Sequence, residues 1–562
     1  MIPRGQSPDN TSMRFTGNPV DTKFVGNAAA PWGLNFAKVE GVALITQLDG
    51  TGSNPRPSGQ REHLVTEMHS HGVDDVDELL ADENNALVVV RGFIPPAAKK
   101  GDNFDLEIQV LPKSDVTSLE DGFMMKTRLR PMAVLGNRVR EGHVVAVGRG
   151  DLLTKHMFDA TDGDQGLLQA FVPAGGTTAS PRPVGLAIQT QSQSIKTASA
   201  ISTAINGRFT TFDGNARIGV ANPKNDKLIE IKVPAEYSLN VGRYFRVIGN
   251  LAYSESPAEQ LDRIQKTESE LNDPAMAALA AVRLEGIGKD AIPSLNRGLR
   301  SDDAEVRFHS AMALTYLGEK EGIGELRLAA ENEPAFRWDA LTALASTEVD
   351  LAEDALESLL HAQSSETRYG AFRSLQQRSP DDPVYHGTLV RNSFYFTTIP
   401  SDSRPMVHVA RKFRPEIVLF GEQQRVQDNF LFVETGLTIK AKNRDTVEMI
   451  RFIPGEPEIR TTCSTDLEDV ILTMSKLGAE YPTVVAMLKD AMLTDSLDTE
   501  LVINALPKLG RQYDRSQATV EYTSETSDRY VADSLPILFE TGENESDLGA
   551  DNAGTADLNV GY

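Results

Sequence analysis

The sequence predicts an α+β multidomain chain: small β-rich and α+β units, an all-α insertion of helical repeats, and an acidic tail expected to be disordered. Three observations carry this. Phe104, Leu106, Ile108 and Val110 alternate with Asp105, Glu107 and Gln109, the period of a strand with one buried face. Within a stretch rich in Ala, Leu, Glu and Arg, the phrases Glu305-Val306-Arg307, Phe336-Arg337-Trp338 and Glu366-Thr367-Arg368 recur, with arginines 30 and 31 residues apart. From Glu521 to Tyr562 ten acidic residues stand against Arg529 alone, too much like charge for a packed core.

In chain order, residues 1–37 lack helical or strand periodicity and are expected to form an extended arm. Residues 38–158 form the first unit. Val39, Val42, Leu44 and Thr46 suggest a strand running into the turn Asp49-Gly50-Thr51-Gly52, followed by a helix from Ser58 to Ser70 with Leu64, Val65 and Met68 on one face. Ala86 to Phe93 is an apolar strand stopped by Pro95-Pro96, and the alternating strand Phe104–Val110 is expected to leave a polar face and an edge exposed. Runs at 126–135 and 143–147 complete the unit. Residues 159–182, rich in Gly, Asp, Thr, Ser and Pro, are expected to be a linker. Residues 183–255 give a second α+β unit, with a helix from Gln193 to Ile205 ended by Asn206-Gly207 and a strand carrying Ile229, Ile231 and Val233.

Residues 256–384 carry the repeated phrases; each copy is a helix pair that needs a stacked neighbour to bury its apolar face, and the segment resembles HEAT-like repeats. Arg307, Arg337 and Arg368 are then equivalent repeat positions on a partner surface. Residues 385–510 are β-rich and end in paired helices. Thr465-x-x-Glu468 predicts a capping box, Leu467, Val470, Ile471, Met474 and Leu477 an apolar stripe, and Gly478 a stop. Pro482 opens a second helix with Val485, Leu488 and Met492. Residues 511–562 are the acidic tail.

The chain has 562 residues and a formal charge of −24, which argues against nucleic acid as a partner because both would repel. No run approaches the ~20 apolar residues of a bilayer crossing. Cys463 is the only cysteine, so no disulfide or Cys-based metal site is expected within the chain. The opening Met1–Gln6 has no apolar stretch behind it, and no signal peptide is expected in this chain as given.

No catalytic, metal or cofactor residues are predicted, and the chain is expected not to be an enzyme. His63, His69 and His71 with Glu62 and Glu67 lack the four-residue spacing of a zinc helix, so they are expected to be solvated. Asp159, Asp162 and Asp164 suggest a calcium loop, but its twelfth position is Pro173, not Glu. Cys463, beside a helix start, is expected to be a small structural residue. Lys99-Lys100 after Pro95-Pro96 form a basic knob on an acidic chain. Arg128, Arg130, Arg138 and Arg140 add charge in the same unit, and Lys99, Lys100, Arg138 and Arg140 are the candidate partner contacts.

Several phrases, in order, resemble the bacterial flagellar basal-body P-ring protein family: Val39–Gly52, Ala86–Pro96 with Lys100–Leu106, Asp115–Gly122, the helix 194–206, the strand 228–234, and Thr465–Leu493 with its Leu477-Gly478-Ala479 junction. The resemblance covers residues 38–155, 183–253 and 462–503, leaving the helical repeats as an insertion. It implies a non-enzymatic periplasmic subunit, without cofactors, whose copies form a ring around the flagellar rod, with the L ring and peptidoglycan as further partners; the inserted repeats, a departure from the family, suggest an added, unknown protein partner. One alternative is a HEAT-repeat interaction scaffold outside motility; a hydrolase or metalloenzyme built on the histidines is another.

Overall fold

The computed structural model describes residues 22–515, apart from 71, 113, 136, 137, 159–162, 435, 454 and 456. It is α+β and multidomain, with sheets in the first, second and last parts and a run of helices between them.

The first unit is a closed barrel. Ala37–Thr46, Ala86–Ile94, Asn103–Val110, Gln169–Thr178, Ala146–Asp151 and Phe123–Leu135 pair in that order, all antiparallel. The ring closes where Val39 and Ile45 lie opposite Pro131 and Met124. Val90, Leu106, Ile108, Met124 and Leu129 fill the interior. The alternation of Phe104–Val110 therefore does mark a buried face, but the strand is paired on both sides and offers no edge. Closure abolishes the edge that an open sheet would leave.

Gln169–Thr178, inside the segment expected to be a linker, is a barrel strand. Its β pattern is hidden because Pro173 and Gly175-Gly176 interrupt the apolar residues, and the ladder shifts register between Val172 and Gly176. Glycine is needed there: a Cβ at Gly176 would lie 2.6 Å from the Phe104 ring, and one at Gly92 on the opposite neighbouring strand 2.5 Å from it. In the turn after Ala37–Thr46, a Cβ at Gly52 would lie 2.2 Å from the carbonyl oxygen of Asn85.

The first described residues belong to the second unit, not to a free arm. Lys23–Phe24 pairs with Ala252–Ser254, and Ala29–Trp32 with Val184–Ile188. The barrel is thus inserted between two adjacent strands of a four-stranded sheet, which continues through Leu228–Ile231 to Ala221–Pro223. Val25, Ala28 and Ala29 are buried there. Three apolar positions carry too little periodicity to announce a strand on their own.

The helix Ile195–Arg208 begins at Ser194, whose hydroxyl accepts from the Thr197 amide at 3.0 Å, and packs Ala198, Ile201 and Ile205 on the sheet. It runs through the expected stop at Asn206-Gly207. The Asn206 side chain instead clamps both backbone groups of Ala221, at 2.7 and 2.9 Å, so it is spent on a strand and not on ending the helix. Val241–Gly249 is a second helix, buried on nearly every side.

Eight helices follow between Pro257 and Arg378. Their starts are legible: Ser256 and Glu259 form a capping box, and Asp273, Asp303, Glu333 and Ser364 each cap the helix behind them. One apolar core runs without a break from Ile201, Tyr244 and Phe245 to Tyr316, Trp338 and Leu341.

The last region has a five-stranded mixed sheet ordered Thr388–Val390, Phe394–Ile399, Glu416–Phe420, Met406–Val409, Glu500–Ile503. A four-stranded antiparallel sheet spans Leu431–Ser464, and the helices Leu467–Lys476 and Tyr481–Leu493 follow. Three local expectations change here. The predicted capping box does not form: Asp466 is the residue before the helix, and Thr465, buried, donates to the Arg444 carbonyl at 2.9 Å. Met492 is exposed although Val485 and Leu488 are core. Cys463 lies within the strand Ile459–Ser464, where burial pushes its thiol up. Of the tail, residues 516–562 lie outside the described residues.

Candidate interaction surfaces

Lys99 and Lys100 stand exposed on the connection between Ala86–Ile94 and Asn103–Val110. The knob is stiff: the Lys99 amide donates to Asp102 at 2.7 Å, the Gly101 amide to the Thr178 carbonyl at 2.9 Å, and Gly101 takes φ +95°. Neither ammonium has an ion pair among the described residues. Arg138 and Arg140 lie on the strand Arg138–Glu141, opposite Leu135 and Ala133, and their side chains are outside the described residues. Arg128 and Arg130 are drawn inward to Glu67, at 3.7 and 3.6 Å, and His63 lies 3.5 Å from the same carboxylate.

The histidines are not brought together. His69 Nδ1 is 3.0 Å from the Val73 carbonyl, and His71 lies outside the described residues, as do Asp159 and Asp162. Among the described residues no group of three or more His, Cys, Asp or Glu is arranged to hold a metal ion.

Arg307, Arg337 and Arg368 are tied within the chain. Arg307 reaches Glu325 at 3.0 Å and the carbonyls of Ser301 and Asp302. Arg337 donates to the Ala330 carbonyl at 3.1 Å and to Glu366 at 2.9 Å. Arg368, fully buried, donates to the Arg404 carbonyl at 2.8 Å and lies over the Phe420 ring. At these positions the recurring arginines join elements of the same chain.

Two features escaped sequence reasoning. The first is a strap. After Glu500–Ile503 the chain runs back along the helices, with Pro507 against Gly370 and then Arg511, Tyr513 and Arg515 landing in turn on Glu366, Phe336 and Glu305. Alternation of Arg-x-Tyr-x-Arg just before the acidic run is the signal that marks it.

The second is a carboxylate seam between the barrel and the last region. Glu434 is pushed up to about 7 by burial and then by Asp121 and Glu120 of the barrel, against the opposing effect of Thr483 and Arg451. Asp151 is pushed up to about 6 by burial and by Glu480. Closer ties cross the same seam: the Phe413 amide donates to Asp105 at 3.0 Å, and Lys489 Nζ to the His156 carbonyl at 3.0 Å. Raised carboxyl values mean that the native state holds these protons more firmly than the unfolded chain. Stability therefore falls as pH rises between about 4 and about 7. Glu434→Gln is expected to flatten that slope and to raise the unfolding midpoint above the seam's wild-type value at neutral pH, read by urea titration at several pH values.

The segment that holds the barrel and its host sheet is also the one that matches a known family. A family model matches residues 28–262. The matching family is the flagellar P-ring protein. The P-ring match begins where the chain enters the second unit, contains the whole barrel, and ends in the first helix of the helical run. Several curated relatives are flagellar P-ring proteins as well. That of Helicobacter acinonychis (strain Sheeba) is 22% identical over 223 residues, 38% of this chain and 58% of the relative. That of Geobacter sulfurreducens is 25% identical over 215 residues, 36% and 54%. That of Aquifex aeolicus is 28% identical over 130 residues, 22% and 36%. The chain thus spans little more than half the length of these P-ring proteins, or less. The helices beyond 262 and the stretch 462–503 lie outside the family match.

Proposed function

We propose that the chain is a non-enzymatic structural subunit whose copies assemble into the flagellar basal-body P ring, or a P-ring-like periplasmic ring, around the rod. The P-ring match over residues 28–262, which takes in the barrel and its host unit as one block, carries this reading. No helix among the described residues is long and apolar enough to cross a membrane. The rod is the central partner, with the L ring and peptidoglycan as neighbours, and the helical run adds a surface for a further protein.

A ring needs two different faces of one subunit to fit each other with a rotation that closes. The six strands of the closed barrel are paired on both sides, and Leu431–Glu434 and Ile459–Ser464, the outer strands of their sheet, are among the edges that could pair between copies. The hairpin of Thr210–Asp213 and Ala216–Gly219, with Phe212 72% exposed, offers a second projecting contact.

Electron microscopy of purified protein and of native envelopes is expected to show annular particles; a strict monomer that is absent from ring-shaped envelope structures would refute the reading. In the same assay, reversing charge with Lys99→Glu and Lys100→Glu is expected to weaken assembly or rod attachment about two- to fivefold, more at low salt than at high, because exposed charges steer and orient more than they bind.

A further inference from the structure

The strap ends the described chain on the starts of three helices. Arg511 meets Glu366 through two hydrogen bonds, of 2.7 and 2.6 Å, and Arg515 meets Glu305 through two, of 2.6 and 2.8 Å. Paired guanidinium–carboxylate contacts of this kind fix direction as well as affinity. Between them the Tyr513 ring stacks on Phe336 at 4.7 Å, and Phe336 in turn stacks on Phe308 at 4.1 Å. Glu305 and Glu366 occupy the same place in their helices, the second residue of Ala304–Tyr316 and of Ser365–Arg378. Phe336 is the third residue of the helix between them, Pro334–Ser346. The starts of three helices thus present carboxylate, aromatic and carboxylate, and Arg511, Tyr513 and Arg515, alternate residues of the strap, meet them.

The arm turns off its strand at a bend and packs Ala505 and Leu506 into the core before it crosses the helices. Asn504, with φ 51°, follows the strand Glu500–Ile503, and Gly510, with φ +83°, turns the chain again. Side-chain anchors beyond such a bend can be met equally well by the arm of another copy. The contacts are then identical, and only the hinge and the effective concentration distinguish the two arrangements.

We propose that Glu305, Phe336 and Glu366 form a recognition site for an extended Arg-x-Tyr-x-Arg segment, and that in an assembly the site is filled by the arm Leu506–Arg515 of a neighbouring copy. Arm and site are two different surfaces of one chain, the heterologous pair that a closing ring requires; the inference rests in that respect on the ring reading.

Complementation tests it. In full-length chains, Glu305→Arg with Glu366→Arg disables the site, and Arg511→Glu with Arg515→Glu disables the arm. Each variant alone is expected to sediment as a monomer. Their equimolar mixture is expected to give a mixed complex at least about tenfold above either alone, since one supplies an intact arm and the other an intact site. A mixture that stays as two separate monomers overturns the proposal. Should the reversed chains fold poorly, Phe336→Cys and Tyr513→Cys in a Cys463→Ser chain report directly: disulfides between chains support exchange, and disulfides only within chains overturn it. Annular particles that persist with the arm disabled would sink the arm and leave the ring reading standing. Mixed complexes without annuli from the wild type would do the reverse.

Discussion

Glu285→Ala is expected to lower the unfolding free energy by about 3–5 kcal/mol, because it strands a buried guanidinium. Glu285 has no exposed side-chain area and its partner Arg243 only 6%. Arg243 Nε and Nη2 both donate to Glu285 Oε2, and the Tyr237 hydroxyl donates to Oε1 at 2.7 Å. Arg243 also lies 4.8 Å from the centre of the Tyr316 ring. Burial opposes the Arg243 charge, yet Glu285 beside it moves the group further above its ordinary value. Burial and Glu285 likewise push the Tyr237 hydroxyl well up. The network joins the second unit, through Tyr237 and Arg243, to the helix Pro274–Ile287, so its loss loosens the junction and not one helix alone. Chemical denaturation checks it. The double change Glu285→Ala with Arg243→Met should cost less than Glu285→Ala by itself, since no charge is then left unpaired. Equal losses in the two would show that the penalty is lost packing.

Phe104→Ala is expected to cost about 3–5 kcal/mol, toward the upper end, and to loosen the whole barrel. The ring is 8% exposed, and its neighbours across the strands are Gly92 and Gly176, which have no side chains to move into the space. A cavity whose walls cannot relax carries the full penalty of lost contacts. Gly176→Val alone should also destabilise, by about 1–3 kcal/mol, because its methyls would meet the Phe104 ring. In combination with Phe104→Ala the two losses should fall short of adding, since the valine occupies part of the vacated volume. Thermal unfolding of the four proteins decides it; strict additivity would mean that the glycines serve the bulge and not the ring.

Much of the local structure was legible. The buried face of Phe104–Val110, the helix expected over Gln193–Ile205 and the stop at Gly478 follow from side-chain period and from which residues can satisfy a helix end. These are decisions between near neighbours in the chain. Legibility failed where the partner of a residue was distant. Asn206 reads as a helix stop until Ala221 is seen to occupy both its polar groups, and Thr465 reads as a cap until Arg444 takes its hydroxyl. For the candidate surfaces the same holds: the Lys99-Lys100 knob is a local turn and was visible, whereas the strap depends on contacts between residues 511–515 and helices up to about two hundred positions earlier.

By itself, the sequence determined the α+β class, the order of β-rich and helical segments, the absence of a cysteine pair, and the likeness to P-ring proteins within residues 28–262, because each depends on composition or short-range pattern. Only the tertiary structure decided that six strands close into a barrel, that this barrel interrupts another unit's sheet, that the recurring arginines bind their own chain, and that Arg511, Tyr513 and Arg515 lie across the helices. The physical reason is that strand pairing and ion pairing are satisfied by whichever complementary group the fold brings near. A period of two states which side of a strand is buried, but not which strand lies beside it.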